Sequence, residues 1–157
     1  MIQVVNNFLY NPDFVKIEDT IASDNFLWQI NNRDPFILTH CLISRKGQQR
    51  SFFADLILNK LLDKLQTKIV LESNITLYGK HDSYEEYYKK SEFLENKNYK
   101  TCLLHMNSND GFTKIIGMDK IDCVENRAII TDTTTNFLQS NPKKNTFKTV
   151  LAVHYEW

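Results

Sequence analysis

Two helical stripes come early in this chain, and short β-type runs fill most of what remains. Phe14, Ile17 and Ile21 recur at three and four residues, with Asp13, Lys16, Glu18 and Asp19 between or beside them. That spacing predicts one apolar stripe on a short helix facing a core. Asn11-Pro12 marks its start, with Asn11 as cap and Pro12 in the first turn, and the helix should end near Ala22. The longer signal is Phe53, Leu56, Ile57, Leu61 and Leu65, interrupted by Lys60, Asp63 and Lys64, which predicts a second helix over 52–65. Around the helices, Ile2 to Leu9 begins β-like, and Phe26 to Trp28 and Phe36 to Ile43 have extended patterns. Asn31, Asn32, Asp34 and Pro35 signal a loop between those two runs.

The second half changes character. Ile69 to Leu71 and Asn74 to Tyr78 are strand-like, and 79–98 is polar and rich in tyrosine. Then follow Lys100 to Met106, Phe112 to Ile116, Lys120 to Val124, Ala128 to Thr131 and Phe147 to Tyr155, with a last turn around Pro142. The stretch 99–113 is central: an apolar run, then Asn107 to Gly111 built from turn formers, then another apolar run, so that Asp110-Gly111 predicts a hairpin. Two helices with many short strands indicate an α+β fold, a sandwich or squashed barrel buttressed by helices.

Composition narrows this without naming a chemistry. At 157 residues and 42% hydrophobic, the chain suits a single domain over 1–157. Lys+Arg and Asp+Glu are both 19, so no global field attracts nucleic acid or an anionic membrane. The first residues lack the basic flank and apolar region of a signal peptide, and no apolar stretch reaches membrane-spanning length, so a cytoplasmic location is expected. Cys41, Cys102 and Cys123 are odd in number and sit in apolar runs, as buried reduced thiols do. No Gly-rich phosphate loop, Ser/His/Asp arrangement or paired-Cys metal motif is present.

Several strings, taken in order, carry a resemblance. They are Val5-Asn6-Asn7-Phe8-Leu9, Asn25-Phe26-Leu27-Trp28, Leu38-Thr39-His40 and Asn74-Ile75-Thr76-Leu77, then the stretch 101–130 with Asn107-Ser108-Asn109-Asp110-Gly111-Phe112-Thr113 and Val124-Glu125-Asn126-Arg127-Ala128-Ile129-Ile130. Over almost its whole length the chain resembles the small prolyl-hydroxylase-like Fe(II)/2-oxoglutarate-dependent oxygenases carried by tailed phages. The resemblance implies a double-stranded β-helix of the jelly-roll kind. It also implies a His-x-Asp pair and a distal His on iron, with a basic residue on a late strand holding the oxoglutarate carboxylate.

In register, those ligand positions fall on Lys90, Glu92 and Phe137. A protonated Lys90 offers iron no lone pair and a phenyl ring supplies no donor, although Glu92 alone could coordinate. Lys148 stands where the family has an arginine, keeping the charge but not the bidentate fork. The resemblance therefore implies the fold while the residues speak against its chemistry.

A relocated metal site would draw on His81, Asp82, His105 and His154. Adjacent His81 and Asp82 face opposite ways on a strand, so the expectation is a solvated pair, with His105 a half-buried strand histidine and His154 a satisfied one. Lys148, Ala152 and His154 share a face of the last strand by alternation. Lys148 could bind a small anion with His154 nearby, or it could snorkel or pair with Glu92. Tyr84, Tyr87, Tyr88 and Phe93 lie among charges of both signs, which suits either a protein interface or a loop packed on the barrel mouth.

The expected function is a degenerate, phage-type oxygenase-like protein, more a non-catalytic binder of a host or phage protein than an enzyme, in the host cytoplasm or on the virion. On this expectation it uses no cofactor. The alternative is an active dioxygenase using Fe(II) and 2-oxoglutarate at an unconventional site.

Overall fold

The computed structural model describes residues 2–33, 36–82, 85–87, 98–145 and 147–157. The first apolar stripe forms α1 (Asn11–Ala22), which buries Phe14 and Ile17. Asn11 is its first residue rather than its cap: Tyr10 takes that place, its carbonyl accepting from Asp13 N at 3.0 Å and Phe14 N at 3.0 Å. The second stripe forms α2 (Ala54–Leu65), starting two residues later than the spacing predicts. The turn before it is closed by Phe53 N–H on Ser51 Oγ at 3.1 Å. Ile57, Leu58, Leu61 and Leu65 are buried, whereas Leu56, expected in the stripe, is 55% exposed.

The strands are β1 (Gln3–Val5), β2 (Gln29–Arg33), β3 (Phe36–Ile43), β4 (Val70–Gly79), β5 (Glu85–Tyr87), β6 (Tyr99–His105), β7 (Phe112–Ile115), β8 (Lys120–Asp122), β9 (Arg127–Asp132), β10 (Phe137–Ser140) and β11 (Phe147–Glu156). Among the described residues they form a seven-stranded sheet in the order β1-β9-β6-β11-β4-β3-β2 and a four-stranded sheet in the order β5-β10-β7-β8. All pairings are antiparallel. This is the double-stranded β-helix of the α+β class.

Strand alternation separates two apolar layers. Ile75, Cys102, Leu104, Ala128, Leu151, Val153 and Tyr155 point from the large sheet to α1 and α2, meeting Phe14, Ile17, Ile57 and Leu61. Ile37, Tyr78, Leu103, Ile129 and Val150 point the other way, to Ile115 and Phe137 of the small sheet. Asn126 ties the N-terminal segment to this frame. It holds a left-handed φ of +55°, and its side chain accepts from Leu9 N and donates to Leu9 O, both at 2.9 Å.

Several expected elements are corrected. The stretch 99–113 is not a hairpin: β6 pairs with β9 and β11, while β7 pairs with β8 and β10 in the other sheet, so the Asp110-Gly111 turn carries the chain between layers. The turn is fixed by Asp110, whose carboxylate accepts the N–H groups of Lys143, Lys144 and Asn145. Gly111 is there for room, since a Cβ would stand 2.8 Å from Asn109 Oδ1 and 3.2 Å from Lys148 Cδ. The two runs around residue 72 form one strand, because Glu72 and Ser73 continue the pairing with β11. Gln29–Arg33 is a strand rather than a loop, whereas Phe26–Trp28 is not one. Among the described residues, no helix is long and apolar enough to cross a membrane.

Candidate functional site

Between the sheets lies a chamber of about 330 Å3. Its floor follows from the alternation of β4: Glu72, Asn74, Thr76 and Tyr78 turn inward together, a polar row where a closed sandwich would be apolar. Asn31, Ile37 and Thr39 line one side, Leu103, Val150 and Ala152 continue the floor, and Phe137 and Gln139 come from the small sheet opposite. Arg45 stands at the rim, its side chain 65% exposed and its Nε 3.5 Å from Glu72 Oε1; the same oxygen accepts from Asn74 Nδ2 at 3.1 Å.

A polar chain runs inward from Gln139. The Thr113 hydroxyl donates to Gln139 Oε1 at 2.9 Å, so His105 Nε2, 3.0 Å from Thr113 Oγ1, must be the donor to it. This leaves His105 Nδ1 and Gln139 Nε2 buried and without hydrogen-bond partners among the described residues. His105 is fully buried, not half-buried as its strand position suggested. Burial, with the charges of Lys148 and Arg127, brings its pKa down from 6.5 to about 3. His154 is a satisfied sheet residue at a separate place, its Nδ1 2.8 Å from Thr101 Oγ1; burial, with the charge of Arg45, lowers its pKa to about 4.

Lys148 is 0% exposed and has no carboxylate partner among the described residues. It donates to the carbonyls of Phe112 at 2.7 Å and Ser140 at 3.1 Å, spanning beneath Gly111, and it is also hydrogen-bonded to the Cys123 thiol. Burial draws its pKa down from 10.5 to about 8, with Cys123 opposing the shift. Between these values the unfolded state binds more protons, so this residue makes stability rise with pH from about 8, by about 1.4 kcal/mol per unit. The rise is cut off above pH 9, where unfolded Cys102 ionises while burial holds the folded thiol at about 12. Burial raises Cys41 and Cys123 as well, so ionising unfolded thiols oppose the rise as pH nears 9. In denaturant melts from pH 7.5 to 9, Lys148→Met should therefore lose stability relative to wild type, the gap widening by about 1 kcal/mol.

The other sequence candidates are placed as follows. His81 and Asp82 follow β4, with Asp82 exposed and His81 N bonded to Pro142 O. Lys90, Glu92, Tyr84, Tyr88, Phe93 and the side chain of Tyr87 lie outside the described residues. Phe137, 2% exposed, is packed with Ile37, Tyr78, Leu103, Ile115, Ile129 and Val150. Among the described residues, no three His, Cys, Asp or Glu side chains are grouped to hold a metal. Gln139, Asn74 and Thr76 were not singled out from sequence. For Asn74 and Thr76 the signal is their alternation with Tyr78 along β4, which puts polar side chains on the face toward the small sheet.

No protein-family model and no curated protein matches the chain. Solved structures do. A 2OG-Fe(II) oxygenase family oxidoreductase from Burkholderia pseudomallei matches at TM-score 0.73 and 13% identity, covering 99% of this chain and 84% of that one. A Pseudomonas putida prolyl-4-hydroxylase matches at TM-score 0.62 and 10% identity over 99% and 92% of the two chains. HygX from Streptomyces hygroscopicus, with nickel, 2-oxoglutarate and hygromycin B bound, matches at 0.64 and 9% over 99% and 82%.

This chain thus shares the fold of the 2-oxoglutarate/Fe(II) oxygenases. The expectation of no cofactor is corrected by these neighbours: the Burkholderia pseudomallei protein is of the 2OG-Fe(II) oxygenase family, and HygX holds nickel and 2-oxoglutarate. The described residues do not fit the group at the positions the resemblance assigns. Phe137 has no donor atom, and two of the Lys148 ammonium hydrogens are spent on backbone carbonyls.

Proposed function

We propose that this chain is a degenerate oxygenase-fold protein of the phage type, acting by binding rather than by oxidative turnover. The observation that carries this reading is Phe137: the position expected of the distal metal ligand belongs to the apolar layer between the sheets. Its phenyl ring brings no donor atom to that position, and it shares an apolar cluster with Ile37, Tyr78, Leu103, Ile115, Ile129 and Val150. The partner is a second protein, of host or phage. A protein-facing role is supported by Phe52, 92% exposed, and Leu56, which with Phe53 and Asn25 line a shallow groove beside the end of α1. The phage assignment rests on the sequence resemblance.

The second reading is an active dioxygenase, favoured by the fold of the solved neighbours. In it, the metal would be held at an unconventional site drawn from Glu92 and the relocated candidates His81, Asp82, His105 and His154. Incubation with Fe(II), 2-oxoglutarate and oxygen separates the two. The binding reading expects no succinate above a protein-free control; metal-dependent succinate in proportion to protein would establish the second.

A further inference from the structure

The chamber offers hydrogen-bonding groups of both kinds. Gln139 Nε2 is a donor on a side chain 2% exposed, with no hydrogen-bond partner among the described residues. Asn74 gives its Nδ2 to Glu72, which leaves its Oδ1 as an acceptor, and Glu72 has a second carboxylate oxygen beyond the one shared by Arg45 and Asn74. Thr39 and Thr76, opposite each other across β3 and β4, add two hydroxyls that both donate and accept. Between these groups lie Ala152, Val150 and Leu103 as an apolar floor, with the ring of Phe137 opposite.

A strongly anionic ligand uses only donors and cations. The one cation among the described residues of the chamber lining, Arg45, is already paired with Glu72 at 3.5 Å, so the anion would face the Glu72 carboxylate. An apolar ligand would strand the row of β4 polar groups and the Gln139 amide without partners, at a cost for each. A ligand bearing several hydroxyls satisfies both kinds of group, and its C–H face suits the apolar floor. The chamber volume of about 330 Å3 lies at the small end of the about 300–1,000 Å3 usual for small-molecule sites. The geometry points to a binding site for a neutral polyhydroxylated ring of hexopyranose size, held by Gln139, Asn74, Thr76 and Glu72. This goes beyond the binding role proposed above, since it gives the interior of the barrel a ligand of its own.

The test is calorimetric titration of the full chain with D-glucose, D-galactose, D-mannose and myo-inositol, in wild type, Gln139→Leu and Thr76→Val. Saturable one-to-one binding of at least one of these is expected, about tenfold weaker in each variant, as befits one lost ligand hydrogen bond. Gln139→Leu also takes the acceptor of Thr113, so Thr76→Val is the variant that keeps the fold intact. Absence of saturable binding by all four compounds would overturn the inference, as would binding unchanged in Thr76→Val. Succinate formation is scored separately: turnover with ring binding sinks only the non-catalytic reading, and neither turnover nor ring binding sinks only this one.

Discussion

Lowering the pH from 7 to about 4.5 is expected to cost the folded state about 5 kcal/mol, because two histidines are buried neutral. His105 and His154 have folded pKa values of about 3 and about 4, against 6.5 for an unhindered imidazole. Between these limits the unfolded chain takes up two protons that the folded chain refuses. The stability they allow is therefore complete above pH 6.5 and falls as the pH is lowered through the window. A domain of this size has roughly 5–15 kcal/mol to lose, so unfolding should begin well above the range of ordinary carboxylates. Urea melts at the two pH values measure it. His154→Gln should remove about half the loss; a stability unchanged between pH 7 and 4.5 would mean that the histidines are solvated.

The largest single-residue effect is expected at Phe137. Truncation to alanine empties the centre of the layer between the sheets and should cost about 3–5 kcal/mol. Phe137→His separates a core residue from a displaced ligand. An imidazole there trades the apolar contacts with Ile37, Leu103, Ile115, Ile129 and Val150 for a polar ring, so it should destabilise by about 1–3 kcal/mol and, with no second ligand beside it among the described residues, create no turnover. Both values come from chemical denaturation of the purified variants. A Phe137→His protein as stable as wild type, with succinate-forming activity, would show that the site is one substitution from function.

The parts of the fold legible in sequence were those with a strong local period. The stripes of α1 and α2 depend only on three- and four-residue spacing, and β6 and β11 are long apolar runs. What failed was long-range. Nothing local distinguishes a tight hairpin from a crossing between sheets, so Asp110-Gly111 suggested the first while its carboxylate, bound to the 143–145 backbone, builds the second. The strand β10 was missed because Phe137-Leu138-Gln139-Ser140 has no alternation, and all four residues are buried. That omission hid Gln139. The assignment of Phe137 and Lys148 came from register, and their burial and bonding could be found only in three dimensions.

The measurement that tests the central claim most directly is succinate formation from 2-oxoglutarate by the full chain with Fe(II) and oxygen, run beside Glu92→Ala and Phe137→Ala. If Phe137 has taken the place of a metal ligand, wild type forms no succinate above the protein-free control. Succinate formed in proportion to wild-type protein and lost in Glu92→Ala would contradict the account and return this chain to the active oxygenases.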